Sequence, residues 1–185
     1  MAQAEKKPSI PGVAEGKQLV GVPTDESLSS VERVKAFLVG AMAGPEYRGW
    51  GSDFFRSELV RLISASSKPN GRVVFEFTVD ASQCNRLGNL HGGCTATLFD
   101  VCTTVALAPI AKPGFWAYAG VTRTLQVTYL RPMAQGDVVL IECEVVHAGK
   151  RLCTIKGTMK RKSDGAITAT CEHGKVSIDP EVAKI

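Results

Sequence analysis

With 185 residues, 44% hydrophobic and 22% charged, the chain has the makeup of one soluble domain large enough to bury a core. A net charge of +4 permits an anionic ligand, but the absence of any long basic run argues against nucleic acid as a partner. The six cysteines form no C-x-x-C pair and fall mostly in apolar runs, which predicts free thiols in a reducing, intracellular compartment. The three histidines show no metal-ligand spacing, so no metal is expected.

Residues 1–27 are rich in Gly, Pro, Lys and Glu and read as an N-terminal arm or tail. They lack the apolar core of a secretory signal, and their glutamates argue against a transit peptide. Ser29-x-x-Glu32 offers a capping box, after which Val31, Val34, Phe37, Leu38 and Met42 share one helical face. "AGPEYRGWG" breaks that helix. Residues 57–66 read as a strand, "SKPNG" as a turn, and residues 72–80 as a strand with Val73, Phe75, Phe77 and Val79 on one face.

An apolar stretch from Leu90 to Ile110 follows, long enough to cross a bilayer. Asp100 would then lie near the midplane at a cost of about 2.5–3.5 kcal/mol. Gly92, Gly93 and four threonines dilute the stretch further. A buried helix is the better reading, with no membrane span. "KPG" at 112–114 ends it. Four strands come next, over 120–130, 137–149, 151–162 and 166–178. In the third of these, Lys156 and Lys160 alternate with Cys153, Ile155 and Met159, as in a sheet wet on one side. Residues 179–185 form a C-terminal tail. Its end, Ala183-Lys184-Ile185, has the small–basic–aliphatic form of a peroxisomal address, so the expected location is cytosolic or peroxisomal. The order predicts an α+β domain over 28–178: an antiparallel sheet of about six strands wrapped around one long central helix.

Two glycines at a helix start leave backbone N–H groups open to a ligand, with the positive end of the dipole behind them. Such amides suit an oxyanion. A lone carboxylate in an apolar helix either has partners in its own core or serves as a general base or nucleophile in a dry pocket. Gly92 and Asp100 are separated by about 12 Å of helix at 1.5 Å per residue. Reacting atoms must come within about 3.5 Å of one another. If both groups act on one bond, the second must come from another subunit, across a two-fold axis that sets two such helices antiparallel.

The segment "NRLGNLHGGCTATLFD", Asn85 to Asp100, together with "GVTRTLQVTYLRP" at 120–132 and the order of elements, resembles the hotdog-fold acyl-CoA thioesterases. Within them it is most similar to the phenylacetate-degradation (PaaI) type and the thioesterase superfamily member 2 (acyl-CoA thioesterase 13) group. The resemblance implies a cofactor-free hydrolase that cleaves fatty (medium- or long-chain) or aryl acyl-CoA to free acid and CoA. It implies that Asn85 orients the thioester carbonyl or the water, His91 fixes the loop, and the Gly92 amide forms the oxyanion hole. Asp100 of the facing subunit would activate water or attack directly. Thr122 stands where the relatives carry a serine that holds the water, and its added methyl alters the fit. The site would need a homodimer, and relatives usually pair two dimers into a homotetramer.

CoA phosphates need cations, and Arg123 and the run Lys160, Arg161, Lys162 are the choices here, with Gly93 as a further substrate contact. Phe115, Trp116 and Tyr118 would line the acyl tunnel, or serve packing or an oligomer contact. A hotdog protein that binds acyl-CoA without cleaving it, as sensor or carrier, is the rival reading. The acidic residue on the helix speaks against it. A hydratase on the same fold would need an Asp/His segment that the sequence lacks.

Overall fold

The computed structural model describes residues 19–44, 47–56 and 59–180. The first 18 residues of the arm and the Ala183-Lys184-Ile185 tripeptide lie outside them.

Helix α1 (Ser30–Leu38) starts where the capping box is read. Ser29 Oγ accepts from the Glu32 amide at 3.3 Å, and a Glu32 carboxylate oxygen accepts from the Ser29 amide at 2.8 Å. Val34 and Phe37 are buried, and a π-helical turn, Val39–Ala43, extends the helix up to Gly44. A short helix α2 (Ser52–Arg56) follows directly after what reads as a breaker, where the sequence predicts no element. Five residues make barely more than one turn, too few to show a period in the sequence.

Six strands form one sheet: β1 (Val60–Ser66), β2 (Arg72–Thr78), β3 (Val121–Tyr129), β4 (Val138–Ala148), β5 (Leu152–Arg161) and β6 (Ile167–Val176). Their order is β1-β2-β4-β5-β6-β3, and every neighbouring pair is antiparallel. The link from β2 to β3 crosses the whole sheet and carries helix α3 (Gly92–Val105) along the way. Period-two alternation sends Val73, Phe75 and Phe77 of β2, Ile141 and Val145 of β4, and Ile155 and Met159 of β5 to the inner face, where they are buried. Leu98, Phe99, Cys102 and Val105 of α3 meet them. This is the hotdog arrangement that the sequence predicts.

The stretch Gly92–Ile110 has the length and apolarity of a bilayer span, and more than half of it is buried within the protein. Across strands, Glu76 pairs with Arg61 and with Lys162 just past β5, and Glu142 with Arg72 and Lys160. All six thiols are free, four of them buried. β3 departs from a two-faced alternation: Leu125 and Val127 are half-buried and Tyr129 is 54% exposed, because β3 ends the sheet and overhangs the core.

The helix packs tightly on the sheet at Gly157 of β5. A Cβ there would come within 2.7 Å of the Phe99 ring and of Cys171 Sγ. Gly157→Ala is therefore expected to lower stability by about 1–3 kcal/mol through overpacking. In urea unfolding the midpoint should fall while the slope stays unchanged.

Candidate active site

The α3 N-terminus is built by a folded loop. Asn85 Oδ1 accepts from the amides of Leu87 (2.9 Å) and Asn89 (3.3 Å), closing a turn that also contains Gly88 at φ 75°. The Asn85 oxygen is thus occupied, and its Nδ2 donors face no acceptor among the described residues. His91 is the N-cap. Its Nδ1 accepts from the Gly93 amide at 3.0 Å, and its own amide donates to the Gln83 carbonyl at 2.8 Å. The two glycines therefore differ. The Gly93 amide is spent on His91, whereas no described residue accepts from the Gly92 amide. The Gly92 carbonyl accepts from the Tyr129 hydroxyl at 2.8 Å, and a Cβ on Gly92 would meet that ring at an ordinary 3.5 Å. Nothing in this chain demands glycine at 92, since a Cβ there would make only ordinary contacts.

Asp100 follows Phe99 by about 100° around α3 and turns towards the β6–β3 end of the sheet. Its side chain is 43% exposed in the single chain, not buried as the apolar sequence around it suggests. The sheet ends at β3, so its cover there is incomplete. Thr122 of β3 donates to Asp100 Oδ1 at 2.7 Å. His173 of β6 stands behind it, fully buried, with Nε2 3.0 Å from Thr122 Oγ1 and 3.5 Å from Asp100 Oδ1. On its far side, His173 Nδ1 lies 2.6 Å from Thr103 Oγ1.

Proton counting orders this chain. A hydroxyl has one hydrogen, and that of Thr122 goes to Asp100, so His173 must donate through Nε2, while the one Thr103 hydrogen has both the Phe99 carbonyl, at 2.5 Å, and Nδ1 within reach. The result is a relay from His173 to Thr122 to the Asp100 carboxylate, with a neutral imidazole. Burial first, and the nearby Lys175 charge second, push the His173 pKa down from 6.5 to about 4. The contact with Asp100 is therefore a hydrogen-bonded dipole and not an ion pair. Lys175, two residues further along β6, is 2% exposed and donates from Nζ to Thr104 Oγ1 at 2.9 Å.

Two clefts meet at Asp100. One, about 450 Å³, runs between Phe37, Val101, Tyr118 and Lys175. The other, about 430 Å³, is bounded by Met42, Trp50 and Leu125. A third hollow, about 740 Å³, opens beside His91 and Gly93 at the helix start. Trp50 is 82% exposed and donates from Nε1 to Thr97 Oγ1 at 3.1 Å, which holds it over the outer face of α3.

The aromatic segment divides. Tyr118 lines a cleft, and Phe115 faces a separate hollow beside Arg33. Trp116 is fully buried, with Nε1 donating to the Gly149 carbonyl at 2.8 Å, so it packs the core and lines no tunnel. The basic run is also engaged. Lys160 holds Glu142, Arg161 holds Asp137 and Asp164, and Lys162 holds Glu76. A phosphate would have to displace these carboxylates. Arg123, at a β-bulge of β3, is exposed and has no partner among the described residues.

His173, Lys175 and Trp50 carry no mark in the sequence analysis. For the first two a signal was present: in "TATCEHGKV" the period of two places Ala169, Cys171, His173 and Lys175 on one inward face. Trp50 lies in an irregular segment with no period to read.

Residues 87–168 match the model of the thioesterase superfamily. Acyl-coenzyme A thioesterase 13 of Homo sapiens is 31% identical over 121 residues, which cover 65% of this chain and 83% of that protein. Among solved structures, zebra fish thioesterase superfamily member 2 superimposes with a TM-score of 0.67 at 29% identity, covering 80% of this chain and 98% of that one. A hypothetical thioesterase from Streptococcus pneumoniae, solved with coenzyme A, gives a TM-score of 0.57 at 26% identity, covering 65% and 87%.

The neutral His173 has a measurable consequence. Between about pH 6.5 and about 4 the unfolded chain takes up a proton that the folded chain refuses. The His173 contribution to stability should be full above pH 6.5 and decline as pH falls through that window. Ring nitrogen shifts in NMR should show His173 still neutral at pH 5.5 with the proton on Nε2. A ring that titrates near 6.5 would contradict the relay.

Proposed function

Because this chain belongs to the thioesterase superfamily, we propose that it hydrolyses the thioester of acyl-CoA, releasing free acid and CoA, on fatty (medium- or long-chain) or aryl acyl groups. The observation that carries the reading is the pairing of two unlike stations on one helix. One is an unoccupied amide at Gly92, and the other is a carboxylate at Asp100 held by a hydroxyl.

Thioester hydrolysis needs a polarised carbonyl and an activated water. The Gly92 N–H, with the α3 dipole behind it, suits the developing oxyanion. The free Nδ2 of Asn85 is available to the same carbonyl. His91 holds the loop by consuming the Gly93 amide, which directs the ligand to Gly92. Asp100 accepts a proton from water as general base or attacks the carbonyl itself, and Thr122 fixes one of its oxygens so that the other faces the cleft.

About 12 Å of helix separates the two stations in one chain. The working site thus takes Gly92 from one protomer and Asp100 from its partner. The open edge of β3, with Val121 and Tyr129 exposed beside Thr122, supports pairing with a second copy there. A pair of such dimers would make the tetramer. The apolar walls around Phe37, Val101 and Tyr118 suit an acyl chain or ring, and Arg123 is a free cation for CoA phosphate. The C-terminal tripeptide supports delivery to peroxisomes, and its deletion should then leave the protein cytosolic in imaging.

A panel of acyl-CoA esters spanning chain lengths and aryl groups, read by release of free thiol, tests the reading. At least one member should be cleaved. Asp100→Asn should lower kcat by about 100-fold or more while still binding acyl-CoA, since a positioned base contributes on that order. Unchanged turnover in that variant would refute the role of Asp100. A fully active monomer in sedimentation would refute the shared site.

A further inference from the structure

Lys175 has no part in the scheme above, yet it is the most deeply buried cation near the reaction centre. It points inward from β6, 2% exposed, on the wall of the cleft that Asp100 opens into. An ammonium has three N–H donors. One goes to Thr104 Oγ1, and Thr104 in turn donates to the backbone carbonyl of Asp100 at 2.7 Å. No carboxylate among the described residues lies within ion-pair distance of Lys175. A cation taken out of water without such a pair is costly, and a neutral side chain would pack the same wall more cheaply.

The groups facing Lys175 narrow its role. Thr122 of β3 offers a hydroxyl. Cys153 of β5 stands opposite in register, its thiol pushed up to about 11 chiefly by burial, so it is neutral at pH 7. His173 on the same strand is held neutral. Asp100 of α3 is the remaining ionisable neighbour and the one able to carry negative charge at neutral pH. Burial lowers the Lys175 pKa from 10.5 to about 8, with the Asp100 charge opposing the fall. Lysine and aspartate thus line one cleft and interact through their charges.

We propose that Lys175 is a positioning residue for Asp100: its buried ammonium keeps Asp100 ionised when acyl-CoA covers the carboxylate and excludes water. The inference rests on the hydrolase reading with Asp100 as base or nucleophile. Either role needs the ionised form. Asp100 is half-open in the single chain, and a bound acyl group would strip it of solvent, which favours the neutral acid. A fixed positive charge on β6, lining the same cleft and joined to the Asp100 backbone through Thr104, offsets that loss without occupying the carboxylate oxygens, which stay free for Thr122 and water.

The experiment compares pH profiles of kcat for the wild type, Lys175→Met and Lys175→Arg, using the acyl-CoA that the wild type cleaves fastest. In the wild type the rate should rise through an acid limb set by Asp100 and then level off. In Lys175→Met the acid limb should move up by about one pH unit, so that kcat on the limb falls about tenfold while the high-pH plateau and KM change less. Lys175→Arg keeps the charge and cannot titrate in this range. It should retain the wild-type acid limb. A folded Lys175→Met with the wild-type acid limb overturns the proposal. If that variant fails to fold, Lys175→Gln takes its place, and an unmoved acid limb there overturns it instead. A wild type that cleaves thioesters while either result holds leaves the hydrolase reading standing, and a wild type that releases no thiol defeats that reading and this one together.

Discussion

The contact between the Phe99 ring and Gly157 fixes the rotation of α3 about its own axis. A helix laid on a sheet can roll, and only side chains that fit stop it. Phe99 enters the space that a missing side chain leaves on β5, and Leu98 and Cys102 settle beside it. With Phe99 directed down, its sequence neighbour Asp100 must emerge about 100° around the helix, towards Thr122 and His173 at the end of the sheet. The placement of this carboxylate is in this sense a by-product of core packing.

Much of this was legible in the sequence because its signals are periodic or local. The strand boundaries fall within two or three residues of the alternating runs, and Ser29 with Glu32 marks the start of α1 without tertiary help. The Gly92–Asp100 separation follows from helix rise alone. The features that escaped are those created by strand order. Nothing in the chain announces that β3 lies beside β6, so the meeting of Thr122 with His173 and Lys175 is invisible until the sheet is assembled. The exposure of Asp100 escaped for a related reason. Apolar neighbours suggest burial, but one flank of α3 is apolar without being covered in a single chain. The cations at 160–162 misled because a basic run looks free in one dimension, while cross-strand carboxylates at 76, 137 and 142 claim it in three.

The inner wall is unusual for its polarity. Thr103, Thr104, His173 and Lys175 interrupt an otherwise hydrocarbon interior, and each finds a partner there. Such groups cost free energy to bury, and the same low dielectric that makes them costly makes their mutual orientation strict. The arrangement divides labour: the sheet core supplies stability through Phe75, Phe77 and Ile141, while the polar seam between α3, β3 and β6 supplies geometry.

The strand order also bears on how the protein comes into being. β3 pairs with β6 and with no other strand of the described sheet, yet β4 and β5 lie between them in the chain. During synthesis β3 therefore emerges with both of its edges unmatched and waits until β6 has left the ribosome. His173 and Lys175 arrive with that last strand, so the carboxylate at 100 gains its supporting groups only when nearly all described residues exist. A nascent chain stalled before residue 167 would hold an unpaired β3 and an Asp100 with Thr122 within reach but without His173 and Lys175 behind it.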